Sequence, residues 1–119
     1  MALDEYFATG PPFERPVFDA VMARLADVGP VHVEPVSVGI FLKRESGGGG
    51  AGKFAELRPM VRWVSLALAL PRAVVHPRFT AKAYPSGDRV HQRLRLEGPD
   101  AVDDLVGEWL VEAYFAAPE

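Results

Sequence analysis

Apolar residues recur at helical spacing near both ends of the chain and at strand spacing between them. Phe18, Val21, Met22, Leu25 and Val28 stand three or four apart, one face of a helix. Pro16 suits its first turn, and Gly29-Pro30 stops it. From Val31 the period changes to two. Val36, Val38, Ile40 and Leu42 alternate with Ser37, Gly39, Phe41 and Lys43, which predicts one half-buried strand. Residues 54–58 form a second strand, stopped by Pro59. Residues 62–70 are the clearest strand, with Val64, Leu66, Leu68 and Leu70 on one side and Trp63, Ser65, Ala67 and Ala69 on the other. Residues 72–80 read as a loop or short irregular helix, 81–84 as a brief strand, and Pro85-Ser86-Gly87-Asp88 as a turn. Residues 89–96 alternate again, Val90, Leu94 and Leu96 against Arg89, His91, Arg93 and Arg95. Gly98-Pro99-Asp100 opens the last helix, where Val102, Leu105, Val106, Trp109 and Ala113 make the buried stripe.

The order is helix, four or five strands, helix. Hairpin-length links imply antiparallel pairing, and two amphipathic helices can cover one face of such a sheet. The expected fold is therefore an α+β two-layer sandwich with a four- or five-stranded antiparallel sheet and the N- and C-terminal helices on one face. Residues 1–12 read as a lead-in with one helical turn, 13–119 as a single domain, and 46–52 as a flexible glycine-rich hairpin tip.

Composition narrows the function. With 119 residues, 49% apolar and 24% charged, the chain can bury a core without a staple. It has no cysteine, which removes disulfides, thiol catalysis and thiolate metal sites. The start lacks the layout of a signal peptide, and the longest nearly apolar run, 61–71, is far short of a membrane span. A cytoplasmic protein with no membrane partner is expected.

Net charge is −3, and its distribution says more than its size. Residues 1–42 hold six acids and two bases, 43–95 three acids and eleven bases, and 96–119 seven acids and no base. A basic middle between acidic ends reads either as a sheet balanced by helices or as an anion-binding face.

Motifs for chemistry are weak. Gly47-x-Gly49-x-x-Gly52 and Gly47-x-x-x-x-Gly52-Lys53 mimic phosphate-binding loops, but both need a following helix, and the sequence continues as a strand with Phe54 where the P-loop has Ser or Thr. His32, His76 and His91 show no metal-ligand spacing, and no serine sits in a nucleophile elbow. No metal, cofactor or catalytic set is assigned. The sheet face away from the helices is the feature of interest, where Trp63 offers a ring and Arg89, Arg93 and Arg95 offer planar forks beside His91.

The order of short motifs resembles a bacterial family of small domains of unknown function. The residues that carry it are Gly29-Pro30-Val31, Phe54-Ala55 with Pro59, Leu70-Pro71, His76-Pro77-Arg78, Tyr84, His91, Asp103-Asp104 and Ala113-Tyr114, from about Leu3 onward. The four glycines after Ser46 depart from the tighter hairpin expected there. The resemblance implies a fold and a basic, histidine-bearing surface, not a reaction.

The resulting expectation is a non-catalytic binding or interaction module. Its binding residues are Trp63, His76, Arg78, Tyr84, Arg89, His91, Arg93 and Arg95. Its partner is nucleic acid, a small anionic ligand or a second copy of the chain. The alternative is a small hydrolase or transferase in which His76 and His91 meet in one cleft with Arg78 and Tyr84.

Overall fold

Helices and strands alike turn their apolar sides into one layer. The computed structural model describes residues 2–45, 52–80 and 82–117. Helix α1 (Leu3–Thr9) and helix α2 (Glu14–Leu25) lead into strands β1 (Val31–Val36), β2 (Gly39–Arg44), β3 (Lys53–Pro59), β4 (Val64–Leu70), β5 (Tyr84–Ser86) and β6 (Arg89–Leu96). A 3-10 turn (Pro99–Ala101) precedes helix α3 (Asp104–Ala116). The strands form one open sheet in the order β1-β2-β3-β4-β6-β5, antiparallel at every step. Among the described residues, no helix is long and apolar enough to cross a membrane.

The α+β class holds, but the sheet has six strands, not four or five. The apolar alternation through 36–43 is not one strand. Val36 pairs with Gly39, and Ser37 and Val38 form the turn of a β1–β2 hairpin. Neither turn residue takes a positive φ, so the turn carries none of the Asn-Gly chemistry that announces a tight hairpin. Gly39 is needed for another reason, because a Cβ there would stand 2.4 Å from the Leu57 carbonyl oxygen of the adjacent strand. The brief strand expected at 81–84 lies at Tyr84–Ser86, and the turn is the pair Gly87-Asp88, with Gly87 at φ 64°. Prolines sit in both outermost strands, Pro35 in β1 and Pro85 in β5, at positions where the missing N–H would face outward from the sheet. The expected hairpin tip 46–52 falls, apart from Gly52, outside the described residues.

The core fills the space between helices and sheet. Ile40, Leu42, Leu57, Leu66, Leu68, Leu94 and Leu96 meet Val17, Phe18, Val21 and Leu25 of α2 and Val106, Trp109, Leu110 and Ala113 of α3. Each of the Val, Leu, Ile and Phe side chains among them contributes about 1.5–3 kcal/mol on burial. The last helix starts later than Gly98-Pro99-Asp100 suggests. Val102 is buried in a non-helical conformation, and Asp103 takes the cap by accepting the Val106 N–H at 3.1 Å.

One link is not hairpin-length. Strands β4 and β5 flank β6 and run parallel to each other, so residues 71–83 must cross over β6. The crossing lies on the helix side. Gln92 occupies a core-facing position of β6, and its amide both accepts from the Val74 N–H and donates to the Val74 carbonyl, each at 2.8 Å. Phe79 bridges to Leu94 and packs on Trp109 with ring centroids 4.7 Å apart.

The lead-in is tied to the core by polar and aromatic contacts. Tyr6 is buried and donates its hydroxyl to Glu14 Oε2 at 2.5 Å, and Phe7 meets Tyr6 edge to face and Phe18 at a tilt. Glu14 stands at the start of α2, where the helix dipole favours an anion, yet it is 1% exposed. Burial pushes its carboxyl above the ordinary range, against the opposing effect of the Tyr6 hydrogen bond.

Two outcomes follow from this packing. Trp109→Ala empties the contact among α3, Phe79 and the sheet, and should cost about 3–5 kcal/mol in a denaturant titration. A loss under about 1 kcal/mol would contradict the packing described. Because the folded state holds the Glu14 proton more tightly than the unfolded chain, this group's stabilisation is complete below the unfolded value and is lost as pH rises through the folded one. Glu14→Gln should therefore gain stability relative to wild type as urea titrations move from acid to neutral pH. A difference that stays constant across that range would refute the assignment.

Candidate anion-binding face

The helices cover one side of the sheet and leave the other bare. Cross-strand pairing sets the rows on that open side: Phe41, Glu56, Ala67 and Arg93 in one, Arg58, Ser65 and Arg95 in the next, and Ala69, His91 and Tyr84 in a third. Arg89, His91, Arg93 and Arg95 thus line one side of β6, about 6.6–7 Å from one to the next. Ala67 and Ala69 are too small to fill the middle. A shallow depression of about 190 Å³ remains there, walled by Lys53, Glu56, Arg58, His91 and Arg93.

The cations of this face are not equally committed. The Arg95 guanidinium lies 4.1 Å above the Trp63 ring, and Lys53 Nζ lies 4.4 Å above Phe41. Arg89 donates to the Lys53 carbonyl at 2.9 Å. Glu56, 8% exposed, stands 3.5 Å from Lys53 and 3.6 Å from Arg58. The Arg93 side chain is exposed and has no hydrogen bond, ion pair or ring contact among the described residues. His91 registers the local field. Burial, then the charges of Arg89, Lys53 and Arg93, lower its pKa below the ordinary value, and Glu56 only partly offsets them. Tyr84 is His91's cross-strand partner and is 70% exposed.

Six of the eight residues expected at the site share this face: Trp63, Tyr84, Arg89, His91, Arg93 and Arg95. His76 and Arg78 do not. They belong to the crossover behind the sheet, where the His76 ring meets Trp109 edge-on at 5.2 Å. Arg78 donates to both Asp103 carboxylate oxygens at 3.0 Å and to the Ala101 carbonyl at 2.9 Å. Its backbone N–H donates to His76 Nδ1 at 3.1 Å. The Val106 N–H and then the Arg78 guanidinium hold the Asp103 carboxyl below the usual carboxylate range. These groups clasp the crossover to the cap of α3. His76 and His91 lie on opposite sides of the sheet, so the cleft that would join them is not formed.

The remaining candidates separate as well. His32 is exposed on β1 opposite Lys43. Among the described residues, no group of three His, Asp or Glu side chains is placed to hold a metal. Most of the glycine-rich segment lies outside the described residues, and Lys53 beyond it begins strand β3, not a helix.

Sequence reasoning missed Lys53, Glu56 and Arg58. A register shift opposite Leu42 and Lys43 lets Phe54 turn inward against Tyr114 while Lys53 and Glu56 face outward. That irregularity breaks the alternation that would have placed them. Arg58 keeps clean alternation with Leu57 and carried a readable signal.

No curated protein and no solved structure is found to be similar to the chain. One family model does match, and it spans residues 3–116, from the first residue of α1 to the last of α3. The extent of that match places the chain in the family described as a domain of unknown function, DUF5655.

Proposed function

We propose that this domain is a non-catalytic binding module whose open sheet face takes a phosphate-bearing ligand, single-stranded nucleic acid being the polymer that suits it. The observation that carries the reading is Arg93, an exposed guanidinium without an acidic partner among the described residues, beside a histidine that burial and then neighbouring cations hold toward neutrality. An anion placed there relieves that repulsion. The alanine floor lets it approach the sheet, and the repeat along β6 is close to the spacing of phosphates on an extended strand. Trp63 and Tyr84 add rings at either margin, Trp63 already stacked on Arg95 and Tyr84 open to a base.

Affinity should be modest, because Arg89 and Arg95 are partly engaged and the acidic ends of the chain repel a polyanion. With two or three phosphates neutralised, each adding about 0.7 to the log–log slope, binding should weaken about 7- to 20-fold between 50 and 200 mM salt. A fluorescent oligonucleotide titrated against wild type and an Arg93→Ala, Arg95→Ala double variant tests this. Absence of binding at low salt, or equal binding by the double variant, would overturn the reading.

The histidine supplies an independent check. A bound anion should raise the His91 pKa, so complex formation takes up protons; affinity should grow as pH falls through the raised value of the complex and level off below the free protein's lowered one. The imidazole resonances, followed by NMR with and without inorganic pyrophosphate, report it. A His91 titration unmoved by saturating pyrophosphate would place the anion elsewhere.

A further inference from the structure

Two hollows of the open face meet along β6. The alanine-floored depression of about 190 Å³ lies on its β4 side. A larger hollow of about 430 Å³, lined by Lys82, Tyr84, Ser86, His91 and Arg93, lies on its β5 side. His91 and Arg93 thus border both. Neither side chain makes a hydrogen bond within the chain among the described residues, so their nitrogens are left for a ligand. The smaller hollow is a dead end. Glu56 closes it on the β3 side, held there by Lys53 and Arg58. Arg89 closes it toward the end of β4, because its hydrogen bond to the Lys53 carbonyl reaches from β6 to β3 past that strand.

This shape discriminates between phosphates. A phosphate in the interior of a strand has chain on both sides, and a chain running on across the depression would bring its next phosphate onto the Glu56 carboxylate, where like charges repel. A phosphate at a chain end has no such continuation. It also offers three acceptor oxygens and nearly two negative charges at neutral pH, more than a diester does. Lys53, Arg58 and Arg93 around the two alanines suit that denser charge. The larger hollow has the size of a small-molecule pocket, and the Tyr84 ring is 70% exposed on its wall. The alanine floor on β4 and Tyr84 on β5 are two strand spacings apart, about 10 Å, which an extended nucleotide spans from its phosphate to the outer edge of its base. We infer that this face reads a strand end, a terminal phosphate monoester seated over Ala67 and Ala69 against Arg93 and His91 with the end base stacked on Tyr84. The inference rests on the reading of the face as a single-strand binder and adds which part of the strand is held.

Three versions of one short oligonucleotide, dye-labelled on an internal base, separate the outcomes: hydroxyl at both ends, phosphate at the 5′ end, and phosphate at the 3′ end. One phosphorylated version should bind at least about fivefold more tightly than the hydroxyl version, and which one it is gives the polarity of the strand. Ala67→Leu fills the depression without changing charge. It should abolish that preference and leave binding of the hydroxyl version unchanged. Tyr84→Ala, at an exposed position, should weaken the preferred version about fivefold or more. If the three versions bind wild type equally, the inference falls while the single-strand reading stands. If none binds, that reading fails and takes the inference with it. A preference that survives in folded Ala67→Leu, or full affinity in Tyr84→Ala, also overturns the inference. Should Ala67→Leu fail to fold, the three versions on wild type and on Tyr84→Ala still decide.

Discussion

The pair of hydrogen bonds between the Gln92 amide and the Val74 backbone decides which side of this sheet is free. Strand β6 lies between two strands that run parallel, so some part of the chain has to pass across it. A polar side chain in a core-facing position gives that passage a fixed seat behind the sheet, with a donor and an acceptor each satisfied at 2.8 Å. Once Val74 is seated, His76 and Phe79 fall onto Trp109, and Arg78 reaches Asp103. Had the segment crossed on the other side, it would have covered His91 and Arg93. The bare face and the closed core are consequences of the same contact.

The layers also sort the charge. Acids of α3 find bases on the helix side, Asp104 with Arg24 at 2.7 Å and Glu112 with Arg72 at 3.1 Å. On the open side Glu56, the largely buried acid there among the described residues, lies between Lys53 and Arg58 and leaves Arg93 over. The asymmetry along the sequence is thus partly neutralised within the helix layer and survives where β6 meets solvent. Exposed pairs of this kind add little stability. Their effect is on where the positive potential remains.

Much of this was legible in the sequence, and the failures have physical reasons. The side of β6 that carries Arg89, His91, Arg93 and Arg95 follows from alternation alone, because a strand has a period of two and one face was plainly apolar. The strand count failed at Ser37-Val38, where a turn without glycine or asparagine kept the apolar rhythm going. His76 and Arg78 were misplaced because a thirteen-residue crossover has no period to read, and which side it takes depends on Gln92, whose polarity in a core position looks like an interruption. Glu14 was invisible for a related reason. An acid at the start of a helix normally faces water, and only the Tyr6 contact across the Gly10-Pro11-Pro12 bend shows that this one does not.

The two outermost strands share a feature whose effect reaches beyond the single chain. With Pro35 in β1 and Pro85 in β5, each rim of the sheet lacks an amide hydrogen where an incoming strand would look for one. Lateral growth of the ladder is discouraged at both ends, which guards a wide uncovered sheet against fibrous stacking. Another copy of the chain, or any extended peptide, finds no ready ladder to join at either rim.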